Sequence, residues 1–138
     1  MARYEHLPIY KAAFDLAVHM EKLVKNFSRY HKYTLGTELR NASRAILERI
    51  IEANDTPEKR SLLLELRHDL ERFKVLSRLC HESGGFSGTR AYLNVSEKLV
   101  GISKQNEGWL KATGKAGRTR AKGASAQGRP SERGVRRE

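Results

Sequence analysis

Residues that are apolar, with the one exception of Asn106, recur at intervals of three or four in four separate segments, and this spacing constrains the fold more than any other feature of the chain. The intervals match the period of an α-helix with one apolar face rather than the two-residue alternation of a strand. The four stripes are Ile9, Ala13, Leu16, Met20, Leu23 and Phe27; Leu35, Leu39, Ala42, Ile46, Ile50 and Ala53; Leu63, Leu66, Leu70, Phe73, Leu76 and Cys80; and Tyr92, Val95, Leu99, Ile102, Asn106 and Trp109. The sequence therefore predicts amphipathic helices, each about 30 Å long.

Capping and turn residues between the stripes predict where the helices begin and end. Pro8 suits the first turn of the first helix, which is predicted to end near Phe27. Thr34 or Thr37 is the candidate N-cap of the second helix. The run Thr56-Pro57-Glu58 predicts the start of the third helix, which is predicted to end at Ser83-Gly84-Gly85, with the fourth opening near Thr89. Because these links are short, consecutive helices should be antiparallel, in an all-α, up-down-up-down four-helix bundle over residues 1–111.

Residues 112–138 have a different composition, rich in Gly, Lys and Arg. From Lys111 to Glu138 there are nine basic and two acidic residues, and Val135 is the only apolar residue larger than alanine. Such a segment cannot bury enough apolar surface to offset the entropy of ordering, so we expect a disordered basic tail. Two roles stay open for it, a solubilising tail and a basic arm that docks on phosphates.

The charge balance favours a polyanionic partner. The chain has 27 Lys and Arg against 16 Asp and Glu, a net charge of +11. A field of this sign attracts RNA or DNA whatever the fold. No apolar run approaches the roughly 20 residues of a membrane span, and the first residues lack a signal-peptide core. We therefore expect a cytoplasmic protein without a membrane partner.

No catalytic site is predicted. The five histidines include no i, i+4 pair, and the HExxH, GxSxG and GxxxxGK[ST] motifs are absent from the sequence. The single cysteine, Cys80, excludes an intramolecular disulfide and a cysteine-rich zinc site. Cys80 and His81 are neighbours on a helix and point about 100° apart, so we expect Cys80 to be a buried, inert thiol. The expectation is a non-enzyme with no catalytic residue, no metal and no cofactor.

Basic residues form candidate binding faces on three helices and on the first link. The candidate nucleic-acid or partner-binding residues are Lys25, Arg29, His31, Lys32, Arg40, Arg44, Arg67, Lys74 and Arg78. Any one stripe is also explained as a solvated charged face, but three stripes and the tail together favour phosphate contact. Tyr30 and Tyr33 alternate with these cations. They either stack on unpaired bases or close the corner between the first two helices, and we slightly favour the corner.

Some apolar residues fall outside the core stripes and predict an interface between copies of the chain. At about 100° per residue, those of the first and third helices point away from the core. The predicted interface residues are Phe14, Val18, Ile51, Leu64, Val75 and Leu79. Single exposed apolar residues are common. Two outward clusters on helices expected to be adjacent nevertheless favour a homo-oligomer.

Two segments resemble the accessory variability determinant (Avd) of diversity-generating retroelements. The more specific is NFSRYHKYTLGTELR at residues 26–40, and the other is ISKQNEGWLK at Ile102–Lys111. The resemblance spans roughly residues 3–111. The chain is more distantly similar to four-helix-bundle proteins encoded in ribosomal-RNA intervening sequences.

The resemblance implies a homopentamer of four-helix bundles that binds the element's reverse transcriptase and associates with nucleic acid through a basic surface. Avd proteins support mutagenic retrohoming, in which template RNA is copied into mutagenised cDNA, and they have no catalytic residues of their own. The matching basic positions are Arg29, His31, Lys32, Arg40 and Arg44. The alternative is a free-standing RNA-binding bundle of the intervening-sequence type. A small helical enzyme or metal-carrying bundle is the least favoured hypothesis.

Overall fold

Four long helices pack side by side in the computed structural model, which describes the backbone of residues 4–126 and the side chains of residues 4–114. They are α1 (Pro8–Lys25), α3 (Leu35–Asn54), α4 (Arg60–Glu82) and α5 (Thr89–Ala126), with a short α2 (Arg29–Lys32) between the first two and a 3-10 turn at Tyr4–His6. This part of the chain has no strand, and none of its helices is both long and apolar enough to cross a bilayer. The predicted all-α four-helix bundle is confirmed.

The order of the helices around the bundle is set by which pairs touch. Helix α1 packs against α3 and α5, and α4 packs against the same two helices. Because the extensive contacts run around this ring, α1 and α4 lie diagonally across the bundle. This arrangement decides which surface residues share a side of the molecule.

The core is built from the predicted stripes, with small shifts near the helix ends. Leu16, Ile46 and Phe73 are fully buried, and each comes from a different helix. Val24 is buried where Leu23 was predicted, and Leu110 is buried where Trp109 was predicted. The reason is geometric: a straight helix of 3.6 residues per turn drifts about 20° per heptad away from a strict seven-residue stripe.

The predicted start of the third helix is wrong. Helix α4 begins at Arg60, not at Thr56-Pro57. The Thr56 hydroxyl donates to the carbonyl of Glu52 (2.7 Å), one turn back in α3. Thr56 therefore hydrogen-bonds to a carbonyl in the last turn of α3 instead of capping α4.

Thr34 shows the same reversal at the other end of α3. It occupies the N-cap position, but its ψ of −100° lies outside the extended conformation that capping requires. Its hydroxyl instead donates to the carbonyl of Tyr30 (2.6 Å), which closes α2. Helix α1 also ends earlier than predicted, at Lys25 rather than near Phe27, and this leaves room for α2.

Helix α5 extends past the predicted domain boundary at Lys111. Its backbone is helical to Ala126, and Leu110 is its last buried apolar side chain among the described residues. The segment predicted as a disordered tail, 112–138, begins within this helix, and its last part, residues 127–138, lies outside the described part of the chain.

The link between α4 and α5 depends on close backbone packing at Gly85. The Gly85 N–H donates to the carbonyl of Cys80 (2.8 Å). A Cβ added at Gly85 would lie 2.4 Å from the Cys80 sulfur and 3.2 Å from the Cys80 carbonyl oxygen. Only glycine fits this approach without displacing the end of α4.

We expect Gly85→Ala to lower the free energy of unfolding by about 1–3 kcal/mol, because the added methyl overpacks the corner. The matched control is Gly101→Ala within α5, where a Cβ would meet no atom within 4 Å. That change should raise the free energy of unfolding by about 0.5–1 kcal/mol, since alanine has the higher helix propensity. Urea denaturation followed by circular dichroism measures both, and equal effects of one sign would contradict the packing described.

Candidate nucleic-acid interface

The end of α1, the short α2 and the start of α3 form a tight corner. Gly36 is buried there, and a Cβ at this position would lie 2.8 Å from the Val24 side chain and 2.9 Å from the carbonyl oxygen of His31. The absent side chain lets α3 pass directly over α1 and α2. The Thr37 hydroxyl donates to the carbonyl of Lys32 (3.2 Å) and ties α2 to α3.

A cleft of about 360 Å³ opens on the outside of this corner. Its lining residues come from α1, the corner and α3: Glu21, Lys22, Val24, Lys25, Lys32, Tyr33, Thr37 and Arg40. Four of them are cationic and one is acidic. The cleft therefore has an excess of positive charge, which favours an anion.

Glu21 is shared by two of the predicted arginines. Its carboxylate accepts hydrogen bonds from Arg40 Nε and from a terminal nitrogen of Arg44, both at 2.9 Å. The three side chains are all partly exposed, so this network contributes little to stability. Its main consequence is electrostatic, since one negative charge offsets part of two positive charges beside the cleft.

Lys22, Lys25 and Arg29 have no ion pair within the described part of the chain, and all three are exposed. Lys32 is half-buried, and its Nζ lies 5.9 Å from the centre of the Tyr33 ring. Lys22, Lys25 and Lys32 line the cleft, and Arg29 begins the short helix α2 of the same corner. Lys22, Lys25 and Arg29 are therefore available to phosphate groups at the corner.

His31 differs from the other predicted residues of the corner because it packs inward. Its Nδ1 is buried and has no hydrogen-bond partner among the described residues. The ring meets the edge of Tyr30 at a centroid distance of 5.1 Å and lies beside Gly85. His31 therefore contributes to the packing of the corner more than to its charged surface.

The predicted role of Tyr30 and Tyr33 in closing the corner is wrong. Their exposed fractions are 74% and 68%. The corner is closed instead by Phe27 and Phe86, whose rings meet edge to face at 5.6 Å. Phe86 is buried, although the link before α5 is otherwise polar and rich in glycine. A single aromatic residue in such a link is the sequence feature from which this buried contact could have been predicted.

The predicted basic stripe on α4 faces α5 and is largely paired. Arg67 donates two hydrogen bonds to the carboxylate of Glu107 (2.9 and 2.7 Å), and this pairing lowers the pKa of Glu107 and raises the pKa of Arg67. Lys74 lies 3.9 Å from Glu71. Arg78 is exposed and without an ion pair in the described chain.

A wider groove of about 610 Å³ runs between α4 and α5. It is lined by Arg67, Lys74 and two cations that were not predicted, Lys104 and Lys111, but also by Glu71 and Glu107. The groove and the corner cleft each have four cationic lining residues, but the groove has two acidic residues and the cleft has one. The groove therefore carries less net positive charge. We therefore take the corner as the better candidate for binding a polyanion.

The predicted interface residues divide between two sides of the bundle. Phe14 and Val18 on α1 and Val75 and Leu79 on α4 are exposed, with Phe14 at 50% and Val75 at 56%. Because α1 and α4 are diagonal, the expectation that these clusters lie on adjacent helices is wrong. Sequence spacing gives the outward direction on each helix but not the order of helices around the core.

Other interface predictions are modified by the structure. Leu64 is half-buried and packs against the core, and Ile51 is also half-buried. Leu93 and Val100 on α5 are exposed and were not predicted. Their separation of seven residues places them on one face of α5, and this spacing was the signal that could have identified them.

Cys80 is buried, as predicted, and burial raises the pKa of its thiol to about 11. The thiol is therefore protonated near neutral pH and is a poor nucleophile. His81 stacks in parallel on Tyr92 at a centroid distance of 4.2 Å and is occupied in packing. The inert role predicted for Cys80 agrees with this environment.

Comparison with known proteins agrees with the resemblance of the two sequence segments. A comparison with curated protein sequences finds no significant match. The model of the bAvd-like family matches residues 9–113, which include α1 from its second residue, all of α3 and α4, and the part of α5 that packs in the bundle. Since this match covers all four helices of the bundle, the chain belongs to the bAvd-like family of accessory variability determinants.

Proposed function

We propose that the protein is a non-catalytic accessory subunit of a diversity-generating retroelement. In this role it acts in the cytoplasm, binds the reverse transcriptase of the element together with its template RNA or cDNA, and supports mutagenic retrohoming. Membership of the bAvd-like family is the observation that carries the proposal. The match favours this role over that of a free-standing RNA-binding bundle, which would have no polymerase partner.

The reverse transcriptase supplies the chemistry in this proposal, so a stable complex is the direct test. We expect the full-length protein, carrying an affinity tag, to retain the reverse transcriptase of its own element when the two are co-expressed and purified at low salt. A reverse transcriptase from an unrelated element is the control and should not be retained. Equal recovery of both enzymes, or of neither, would contradict the proposed partnership.

The nucleic-acid part of the proposal is supported by the charges at the corner. Lys22, Lys25 and Arg29 are exposed and form no ion pair in the described chain. The cleft itself is lined by Lys22, Lys25, Lys32 and Arg40. Lysine and arginine contacts to phosphates fix a strand in place without reading its bases. The expected binding is therefore weakly dependent on sequence and strongly dependent on salt.

Glu21→Gln should strengthen the binding of a single-stranded RNA several-fold. The change removes the carboxylate that holds Arg40 and Arg44, so both guanidinium groups become available to phosphates. The slope of log affinity against log salt should steepen by about 0.7 for each arginine that gains a phosphate contact. Fluorescence anisotropy titrations at several salt concentrations measure both quantities.

The matched control for this variant is Glu97→Gln, which makes the same charge change at an exposed position on α5. Glu97 forms no ion pair in the described part of the chain. Its substitution should leave the affinity within about twofold, because Glu97 does not line the corner cleft and its removal frees no arginine there. Equal gains from the two variants would mean that net charge, and not the corner, governs binding.

We also propose that the protein forms a closed homo-oligomer, for which the family resemblance implies a pentamer. The exposed apolar side chains of α1 and α4 lie on opposite sides of the bundle. A contact between one side of a protomer and the other side of the next is head-to-tail, and such contacts generate rings when the rotation closes. Two different apolar faces fit this geometry better than a self-paired dimer.

Mixing two interface variants distinguishes a ring from self-paired faces. Phe14→Glu and Val75→Glu should each give monomers, because every head-to-tail contact then contains one charged face. An equal mixture should give heterodimers, joined by the one contact that both variants leave intact. Light scattering at micromolar concentration measures the masses, and dimers formed by either variant alone would contradict the head-to-tail arrangement.

A further inference from the structure

We propose that the corner cleft is a site for one unpaired nucleotide, with the base stacked on Tyr33 and its phosphates held by Lys22, Lys25 and Lys32. The protein would then prefer single-stranded RNA or DNA to a duplex. This inference rests on the proposed binding of nucleic acid and adds to it the structural class of the ligand.

Tyr33 presents a largely exposed side chain on a hydrogen-bonded turn. Its N–H donates to the carbonyl of Arg29, the first residue of α2, and the hydroxyl of the next residue, Thr34, donates to the carbonyl of Tyr30. The side chain nevertheless remains 68% exposed and lines the cleft. An aromatic ring that packs against so little of its own protein, on a hydrogen-bonded turn, is available as a stacking surface.

The cations lie where the phosphates of a stacked nucleotide would need them. Lys22 and Lys25 line the cleft from α1, and the Nζ of Lys32 lies over the Tyr33 ring, 5.9 Å from its centre. Aromatic rings set among lysine and arginine are the usual composition of surfaces that bind single strands, because every base has a face that can stack. The cleft volume of about 360 Å³ also falls within the range of roughly 300–1,000 Å³ for small-ligand sites.

A duplex cannot use this site in the same way. Its bases are paired and stacked on one another, so none can lie on Tyr33 unless it leaves the helix, and that costs unstacking energy. A duplex would still contact the lysines through its phosphates. The two ligands should therefore differ in their dependence on the tyrosine ring and not in their dependence on charge.

Tyr30 provides an internal control in the same link. It is even more exposed, at 74%, but it does not line the cleft, and its ring contacts His31. Substitution at either position removes an exposed aromatic ring and leaves every charge in place. Only one of the two rings lies among the cleft lysines.

The experiment compares Tyr33→Ala, Tyr33→Phe and Tyr30→Ala in the full chain, by anisotropy titration with a short oligouridylate and with a short RNA duplex. We expect Tyr33→Ala to weaken binding of the single strand by about 5- to 150-fold, the fold-change for loss of one stacked base. Tyr33→Phe should bind within about twofold of the wild-type protein, because the ring is kept. Tyr30→Ala should also bind like the wild type.

Duplex binding and salt dependence distinguish a stacking role of Tyr33 from a purely structural one, which would weaken the binding of both ligands equally. For Tyr33→Ala, duplex affinity should stay within about twofold and the salt slope should not change, since no cation is lost. An equal loss for both ligands, or equal losses from Tyr30→Ala and Tyr33→Ala, would overturn the stacking site while leaving nucleic-acid binding intact. If the wild-type protein bound neither ligand at low salt, both the site and the proposed nucleic-acid function would fail.

Discussion

Burial of one apolar stripe from each of four helices is the interaction on which the rest of the structure depends. Because each helix must turn its stripe inward, its polar and leftover apolar residues are fixed on the outside. The contacts of α1 and α4 with α3 and α5 then decide which outer faces are neighbours. The two separate apolar sides follow from that packing, and the basic corner also needs the close approach at Gly36.

Helical periodicity made the core and the fold class predictable, but it carried no information about contacts between segments. Each stripe defines an inward direction, so the spacing of apolar residues was enough to assign Leu16, Ile46 and Phe73 to the core. The diagonal placement of α1 and α4 follows from the short links, which make each long helix a neighbour of the next one along the chain. The prediction of apolar clusters on adjacent helices was wrong because it did not apply this consequence of the predicted up-down-up-down topology.

The candidate site was only partly predictable, because capping and aromatic residues have more than one role available to them. The hydroxyls of Thr34 and Thr56 bond backward to finished helices instead of forward to new ones. Phe27 and Phe86 close the corner and leave Tyr33 exposed. Basic residues were identified correctly by type, yet which of them face a carboxylate, as Arg40 faces Glu21, depends on packing between helices.

Photo-crosslinking of the full-length protein to a short uridine-rich RNA, followed by mass spectrometry of the linked peptides, tests the central claim most directly. Nucleic-acid binding at the end of the bundle where α1, α2 and α3 meet predicts crosslinks within residues 22–40, with Tyr33 among the modified positions. Crosslinks confined to the α4–α5 groove, or to residues beyond Gly114, would show that the corner is not the binding site.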